Sequence, residues 1–168
     1  CYGGVCHLAQ LARLGYGLMS KDNDMTIEDI AKNCDVFYIG GTKVGAMFGE
    51  AVVITNPALQ EDFRYIIKQK GGMLAKGRLL GIQFLELFKD GLYFEITKKA
   101  NEDAMKLKQA FAAKNIPFFI ESSTNQQFPI LTTEQMEQLT ENHSVSYIAK
   151  IDDNHHCVRF CTAWSTDP

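Results

Sequence analysis

With 168 residues, 46% of them hydrophobic, the chain has enough apolar surface for a buried core and the size of one domain or of parts of two. Its 17 basic and 20 acidic residues leave a net charge of -3, with no basic stripe of the kind that nucleic acid or an anionic membrane surface requires. No window has the apolar length of a membrane span and the first twenty residues lack an export signal, so a cytoplasmic protein is expected.

Five cysteines (Cys1, Cys6, Cys34, Cys157 and Cys161) form no CxxC pair, and their odd number argues for reduced thiols over a disulfide framework. The chain starts at Cys1 without an initiating methionine and stops at Pro168 just after a strand-like run, so a fragment of a longer protein is expected.

In chain order, "MTIEDIAKNC" predicts a short helix, because Thr26 and Asp29 have capping-box spacing ahead of Ile27, Ile30 and Ala31. "DVFYI" predicts a buried strand, four apolar residues running together, and "EAVVIT" predicts a second of the same kind beyond a glycine-rich loop. Asn56 before Pro57 marks a helix start, with Leu59, Phe63, Ile66 and Ile67 on one face and Gly71 and Gly72 at the end. "RLLGIQFLELF" is apolar nearly all round as a helix, so its own domain or another subunit has to cover it. A long amphipathic helix over 91–114 follows from the spacing of Ile96, Ala100, Ala104, Leu107 and Phe111.

From Pro117 the character changes. "PFFIES", "QQFPILT", "VSYIAKI" and "HCVRFCTAW" predict short strands, with a helix capped by Thr132 and Gln135 between the second and third. Asp152, Asp153 and Asn154 predict a hairpin loop between the last two. Helices and parallel-type strands therefore occupy the first half, a small sheet with one helix the second, and the long helix bridges them. No internal repeat or low-complexity segment is present.

Three strings carry candidate chemistry. "GGTKVG" fails as a nucleotide phosphate loop, which needs glycine directly before the lysine and a hydroxyl directly after it, where this chain has Thr42 and Val44. "NHHCVRFC" gathers His155, His156, Cys157 and Cys161, but neighbours on a strand face opposite sides, so two surface histidines and two packed thiols are favoured over a zinc site and no metal ligand is assigned. Lys43 has two readings. It is either a loop lysine whose head reaches water, or an amine held nearly dry between two buried strands and so able to act as a nucleophile toward a carbonyl cofactor.

Taken together, "DVFYIGGTKVGAMFGEAVVI", "KQKGGMLAKGRLLGIQFLELF", "SSTNQQFPIL" and "VRFCTAW" resemble the beta-eliminating lyase and low-specificity threonine aldolase family, from about Arg13 to the end of the chain. These are pyridoxal phosphate enzymes of the aspartate-aminotransferase-like fold. The resemblance implies an α/β fold: residues 1–90 as the later part of a large, mostly parallel pyridoxal-phosphate-transferase domain, then 91–168 as a small C-terminal α+β domain entered through the helix over 91–114. It implies cleavage of a β-hydroxy-α-amino acid into glycine and an aldehyde.

By the same resemblance Lys43, in "GGTK", carries the cofactor as a Schiff base. Arg159, in "VRFCT", clamps the substrate carboxylate with its bidentate fork, against the simpler reading of an exposed strand arginine. Arg13, in "LARLGYG", corresponds to the arginine that closes the family's Asp-Gly-Ala-Arg string and is placed near substrate or cofactor. Lys76, in "GGMLAKGR", is placed near the cofactor phosphate, in competition with Lys70 and Arg78 as ordinary surface charges. A small amino-acid substrate and a homo-oligomer, dimer or tetramer, with shared sites are the implied partners.

One departure stands out: where the family has Asp-Gly-Ala-Arg, this chain has Gln10-Leu11-Ala12-Arg13, or Ala9 if the register slips by one. The family aspartate pairs with the pyridinium nitrogen and keeps it protonated, which glutamine cannot do. The chain alone is therefore expected to bind pyridoxal phosphate poorly. Another pyridoxal-phosphate reaction, lyase or amino transfer, and a non-catalytic remnant that keeps fold and subunit contacts, stay open as alternatives.

Overall fold

The computed structural model describes residues 8–167, with side chains from Leu11 onward. Cys1 and Cys6 lie outside the described residues, as does the Gln10 side chain.

Among the described residues the first sheet has three strands, in the order β1 (Leu8–Leu11), β2 (Val36–Gly40), β3 (Glu50–Ile54). β2 is central, and its alternate residues Phe37 and Ile39 are buried, as the apolar run predicted. β1 runs parallel to β2, with Gln10 opposite Tyr38 and Leu11 opposite Ile39, but β3 is antiparallel to β2. The expected parallel-type pairing is thus met on one side of β2 only. β3 also differs from its expected burial: it is an edge strand with Val52 54% exposed, because a continuous apolar run does not state how many of its faces are covered.

Two short helices link β1 to β2: α1 (Leu14–Leu18) and α2 (Ile27–Asn33). α2 starts on the reciprocal Thr26–Asp29 capping box. The helix expected after Asn56 is broken. Asn56 caps only a 3-10 turn, Pro57–Leu59, and α3 (Phe63–Gln69) begins separately after Asp62, whose φ of 53° ends any continuous helix.

α4 (Arg78–Phe88) and α5 (Leu92–Ala113) form as predicted, separated by a turn in which Asp90 and Gly91 both take positive φ. α5 buries Tyr93, Thr97, Ala100, Asn101 and Ala104 along one face. It lies so close to α1 that a Cβ on Gly15 would stand 2.7 Å from both Tyr93 and Thr97. Phe37, Ile39, Val44, Leu87, Tyr93 and Leu14 meet in one core between the sheet and the helices. The outer face of α4 is not covered: Leu79, Ile82 and Leu85 are 50%, 53% and 65% exposed.

The second sheet is built on β7 (His155–Cys161), which pairs antiparallel with β4 (Gln126–Gln127), β5 (Ile130–Thr132) and β6 (Ser146–Lys150). α6 (Thr133–Thr140) follows β5 on its expected Thr132–Gln135 capping box. The segment "PFFIES" is not a strand; Phe118 makes one isolated bridge to Pro129. Pro129 also splits "QQFPILT" into β4 and β5, since a residue without an amide N–H cannot continue the ladder.

Candidate active site

Lys43 sits in the loop between β2 and β3. Two sequence features shape that loop. Gly40 touches the backbone of Ala12, and Gly41 accepts hydrogen bonds from Val44 N (2.9 Å) and Ala46 N (3.0 Å), folding the chain back on itself. Val44 and Ala46 are buried and pin the turn to the core, which leaves Thr42 and Lys43 outside. The expectation of a nearly dry amine is therefore overturned for this chain: Lys43 is exposed. The physical reason is that the turn is anchored through the buried Val44 and Ala46, which fold inward, and not through Lys43.

The main chain of Lys43 is nonetheless fixed. Its carbonyl accepts a hydrogen bond from the Tyr16 hydroxyl, and Tyr16 is 2% exposed. Burial pushes the Tyr16 phenol above its ordinary range, against the opposing pull of nearby Arg13. It therefore stays protonated and remains a donor. The Tyr93 hydroxyl likewise donates to Gly40 O at 3.1 Å, and burial pushes that phenol up to about 12.

One helical turn before Tyr16, Arg13 is half-buried and reaches the second sheet. Its Nη1 donates to Asn125 Oδ1 at 3.4 Å. With the Gln126 amide turned oxygen-first, Nη1 and Nε of Arg13 also donate to it at 2.7 and 3.2 Å. Asn125 is held in turn, its Nδ2 donating to Thr162 O at 2.6 Å, while Thr162 Oγ1 donates to Ala100 O of α5 at 2.6 Å.

Gln126 is register partner of Cys161 on β7, so the two side chains share a sheet face. Strand alternation puts Arg159 on that face too, along with Cys157. Arg159 Nη2 donates to Ser146 Oγ at 3.1 Å, and its Nε is buried without a hydrogen-bond partner among the described residues. Trp164, just past β7, lies against Gly45, where a Cβ would be 3.7 Å from the indole. Tyr16 thus ties the Lys43 loop to the helix capped by Arg13, Gln126 ties Arg13 to the strand beside β7, and Trp164 lies against the loop at Gly45.

Lys76 is not brought into this group. It is exposed, in the turn before α4. The histidines of the rejected zinc reading are otherwise engaged: His155 Nδ1 lies 2.9 Å from the Asp152 carboxylate and His156 Nε2 3.1 Å from Thr133 Oγ1. Cys157 is fully buried, which pushes its thiol up, and Cys161 is exposed.

Sequence reasoning missed Tyr16, Asn125, Gln126 and Trp164. Two signals were available: an aromatic flanked by glycines in "LGYG", and an unbroken polar string, "SSTNQQ", ahead of an apolar run.

Comparison with known proteins bears on this arrangement. No protein-family model matches the chain. Low specificity L-threonine aldolases of Pseudomonas sp. (strain NCIMB 10558) and Pseudomonas aeruginosa are 38% and 36% identical to it over 78 residues. Leishmania major threonine aldolase superposes on 99% of the chain with a TM-score of 0.91 and 42% sequence identity.

The chain is homologous to part of the threonine aldolases.

It spans 48% of the Leishmania threonine aldolase, and the matched stretch is 22% of each Pseudomonas enzyme. The threonine aldolase likeness bears out the expected fold class, a partial α/β unit of the pyridoxal-phosphate-transferase fold. No helix among the described residues is long and apolar enough to cross a membrane.

Proposed function

We propose that this chain carries the cofactor lysine and the substrate-side arginines of a pyridoxal-phosphate-dependent aldolase, and that the whole protein cleaves a β-hydroxy-α-amino acid in the manner of a threonine aldolase. The observation that carries this reading is the link from the Lys43 carbonyl through Tyr16 to the helix capped by Arg13, and from Arg13 to Gln126, which pairs with β7 two residues from Arg159, in a chain 42% identical to Leishmania threonine aldolase. Residues 1–90 would belong to the large domain and 91–168 to the small one. A small amino-acid substrate, a cytoplasmic location and a homo-oligomer complete the proposal.

The donors present fit such ligands. Arg159 has a buried, unpartnered Nε, an arrangement that costs free energy until an acceptor such as a carboxylate arrives. The Lys43 amine makes no salt bridge among the described residues, so it is available to a carbonyl group. Lys43 would hold pyridoxal phosphate, Arg159 would clamp the substrate carboxylate and Arg13 would stand near both, while Lys76, exposed in the turn before α4, would reach the cofactor phosphate of a neighbouring subunit. When bound, the cofactor withdraws electrons from the bonds at the substrate α-carbon. This chain orients and neutralises: a planar guanidinium fixes a carboxylate through two parallel hydrogen bonds and balances its charge. Exclusion of water from Lys43 has to come from outside the described residues, since the side chain is exposed here.

A second reading rests on Gln10, which lies in β1 opposite Tyr38 where the family has aspartate. A glutamine cannot hold a pyridinium proton, which favours a remnant that keeps the fold without the chemistry. Both readings expect the 168-residue chain alone to bind pyridoxal phosphate weakly. The protein that contains this chain separates them: glycine and an aldehyde formed from threonine, abolished by Lys43→Ala, support the aldolase. Activity that survives Lys43→Ala overturns the assignment, and product analysis with serine and cysteine distinguishes elimination or amino transfer.

A further inference from the structure

We infer that Tyr16 is a positioning residue for Lys43: its hydroxyl holds the lysine's main-chain carbonyl and ties the loop to the helix that has Arg13 as its N-cap. The role in catalysis rests on the function proposed above; the mechanical link does not.

The link is built from both ends. Tyr16 is 2% exposed, and its hydroxyl donates to Lys43 O. Its own main-chain carbonyl accepts from Asn101 Nδ2 of α5 at 2.9 Å. Gly15, the preceding residue, is pressed against Tyr93 and Thr97, so α1 cannot slide along α5. Arg13 is the N-cap residue of the same helix. One short, rigid helix therefore sets the lysine's backbone and the arginine relative to each other.

The remaining anchors of the loop do not act at Lys43 itself. Val44 and Ala46 are bonded through their amides to Gly41, and Tyr93 holds Gly40, the last residue of β2. Without the Tyr16 hydroxyl, the carbonyl of Lys43 turns to water and its side-chain stem gains freedom, while the strand end stays fixed. A loop lysine that is exposed has no packed side chain to restrict it, so its precision has to come from its backbone. That is the office of a buried phenol bonded at that one residue.

Tyr16→Phe removes a single oxygen and keeps the ring, and Tyr93→Phe makes the same change at Gly40 as a control. Amide hydrogen exchange of the protein that contains this chain, followed in a peptide covering 42–47, is expected to speed up about tenfold in Tyr16→Phe, the loss of one hydrogen bond. In Tyr93→Phe the same peptide is expected to exchange within about twofold of wild type. No acceleration in Tyr16→Phe, or an equal one in Tyr93→Phe, overturns the inference. Should Tyr16→Phe fail to fold, Asn101→Ala releases the other end of Tyr16, and unchanged exchange over 42–47 then overturns it instead.

In the pyridoxal-phosphate-loaded protein that contains this chain, Tyr16→Phe is expected to lower kcat about tenfold with KM within about twofold of wild type. A change in KM alone refutes the catalytic part. Activity of Lys43→Ala would sink the proposed function and leave the exchange result standing, so the two failures are distinguishable.

Discussion

Gly40→Ala probes the joint on which the candidate site is assembled. Gly40 closes β2 just ahead of the Lys43 loop, and a Cβ there would lie 2.5 Å from the Ala12 carbonyl oxygen and 2.8 Å from its Cα. Both obstacles are backbone, so no rotamer change relieves the overlap and one segment has to move. Ala12 precedes Arg13, and the movement would pull the arginine away from the loop that carries Lys43. Overpacking of this kind costs about 1–3 kcal/mol, and a backbone obstacle places Gly40→Ala at the upper end, about 3 kcal/mol. At roughly 2–4 °C per kcal/mol for a chain of this size, Tm should fall by roughly 6–12 °C. Gly81 is the control. It lies inside α4 with nothing within 4 Å of a Cβ, so alanine relieves the helix penalty of glycine, about 1 kcal/mol, and should raise Tm by roughly 2–4 °C. Thermal unfolding followed by circular dichroism reads both. A Gly40→Ala chain melting within about 2 °C of wild type would refute the contact between β2 and the segment carrying Arg13.

Two other perturbations test what lies around the joint. Asp103 is buried between Lys99 and Lys106, each at 2.8 Å, and the hydrogen bonds from Lys106 and then Lys99 hold its carboxyl below its ordinary value of 3.8. Its contribution to stability is present above the unfolded-state value near 3.8 and lost as pH falls through the lower folded-state value, so Asp103→Asn should be less stable at pH 7 and flatten the loss of stability in acid. Urea midpoints at pH 7 and at about pH 3 check this, and an equal acid-induced drop in both proteins would count against it. On α4, Ile82→Glu with Leu85→Glu should abolish self-association while leaving the melting temperature of the chain nearly unchanged, because both side chains are more than half exposed. Sedimentation velocity decides, and a wild-type chain that is monomeric at every concentration would remove the basis for an interface there.

What the sequence made legible was local. The capping boxes at Thr26 and Thr132 depend on residues three apart, and both formed. The breaks were harder. Nothing in the spacing of Leu59, Phe63 and Ile66 signals that Asp62 takes a left-handed conformation, and periodicity alone joined what the structure separates. β3 was legible as a strand but not as an edge, because coverage is a property of neighbours and not of the run itself. The same holds for Lys43: its type and surroundings suggested a dry amine, whereas dryness depends on what packs over the loop. The residues that join the site were invisible for a related reason. Tyr16 meets Lys43 across 27 positions and Arg13 meets Asn125 across 112, and no pattern within either segment encodes the other.

The sequence reading put Arg159 ahead of Arg13 as the carboxylate clamp, and their surroundings differ in the same sense. Arg13 spends Nη1 and Nε on the amide oxygens of Asn125 and Gln126, so much of its fork is already committed to holding α1 against β4. Arg159 makes a single bond to Ser146 and keeps a buried Nε unpartnered. An unsatisfied buried donor is worth about 1–3 kcal/mol to whatever acceptor fills it, and more when the acceptor is charged. A substrate carboxylate therefore gains more at Arg159 than at Arg13, whose amide partners it would first have to displace. This supports Arg159 as the clamp and Arg13 as the strut that keeps the clamp's sheet in register with the lysine loop. The two roles rest on hydrogen bonds already made or still missing, and the charges themselves are the same.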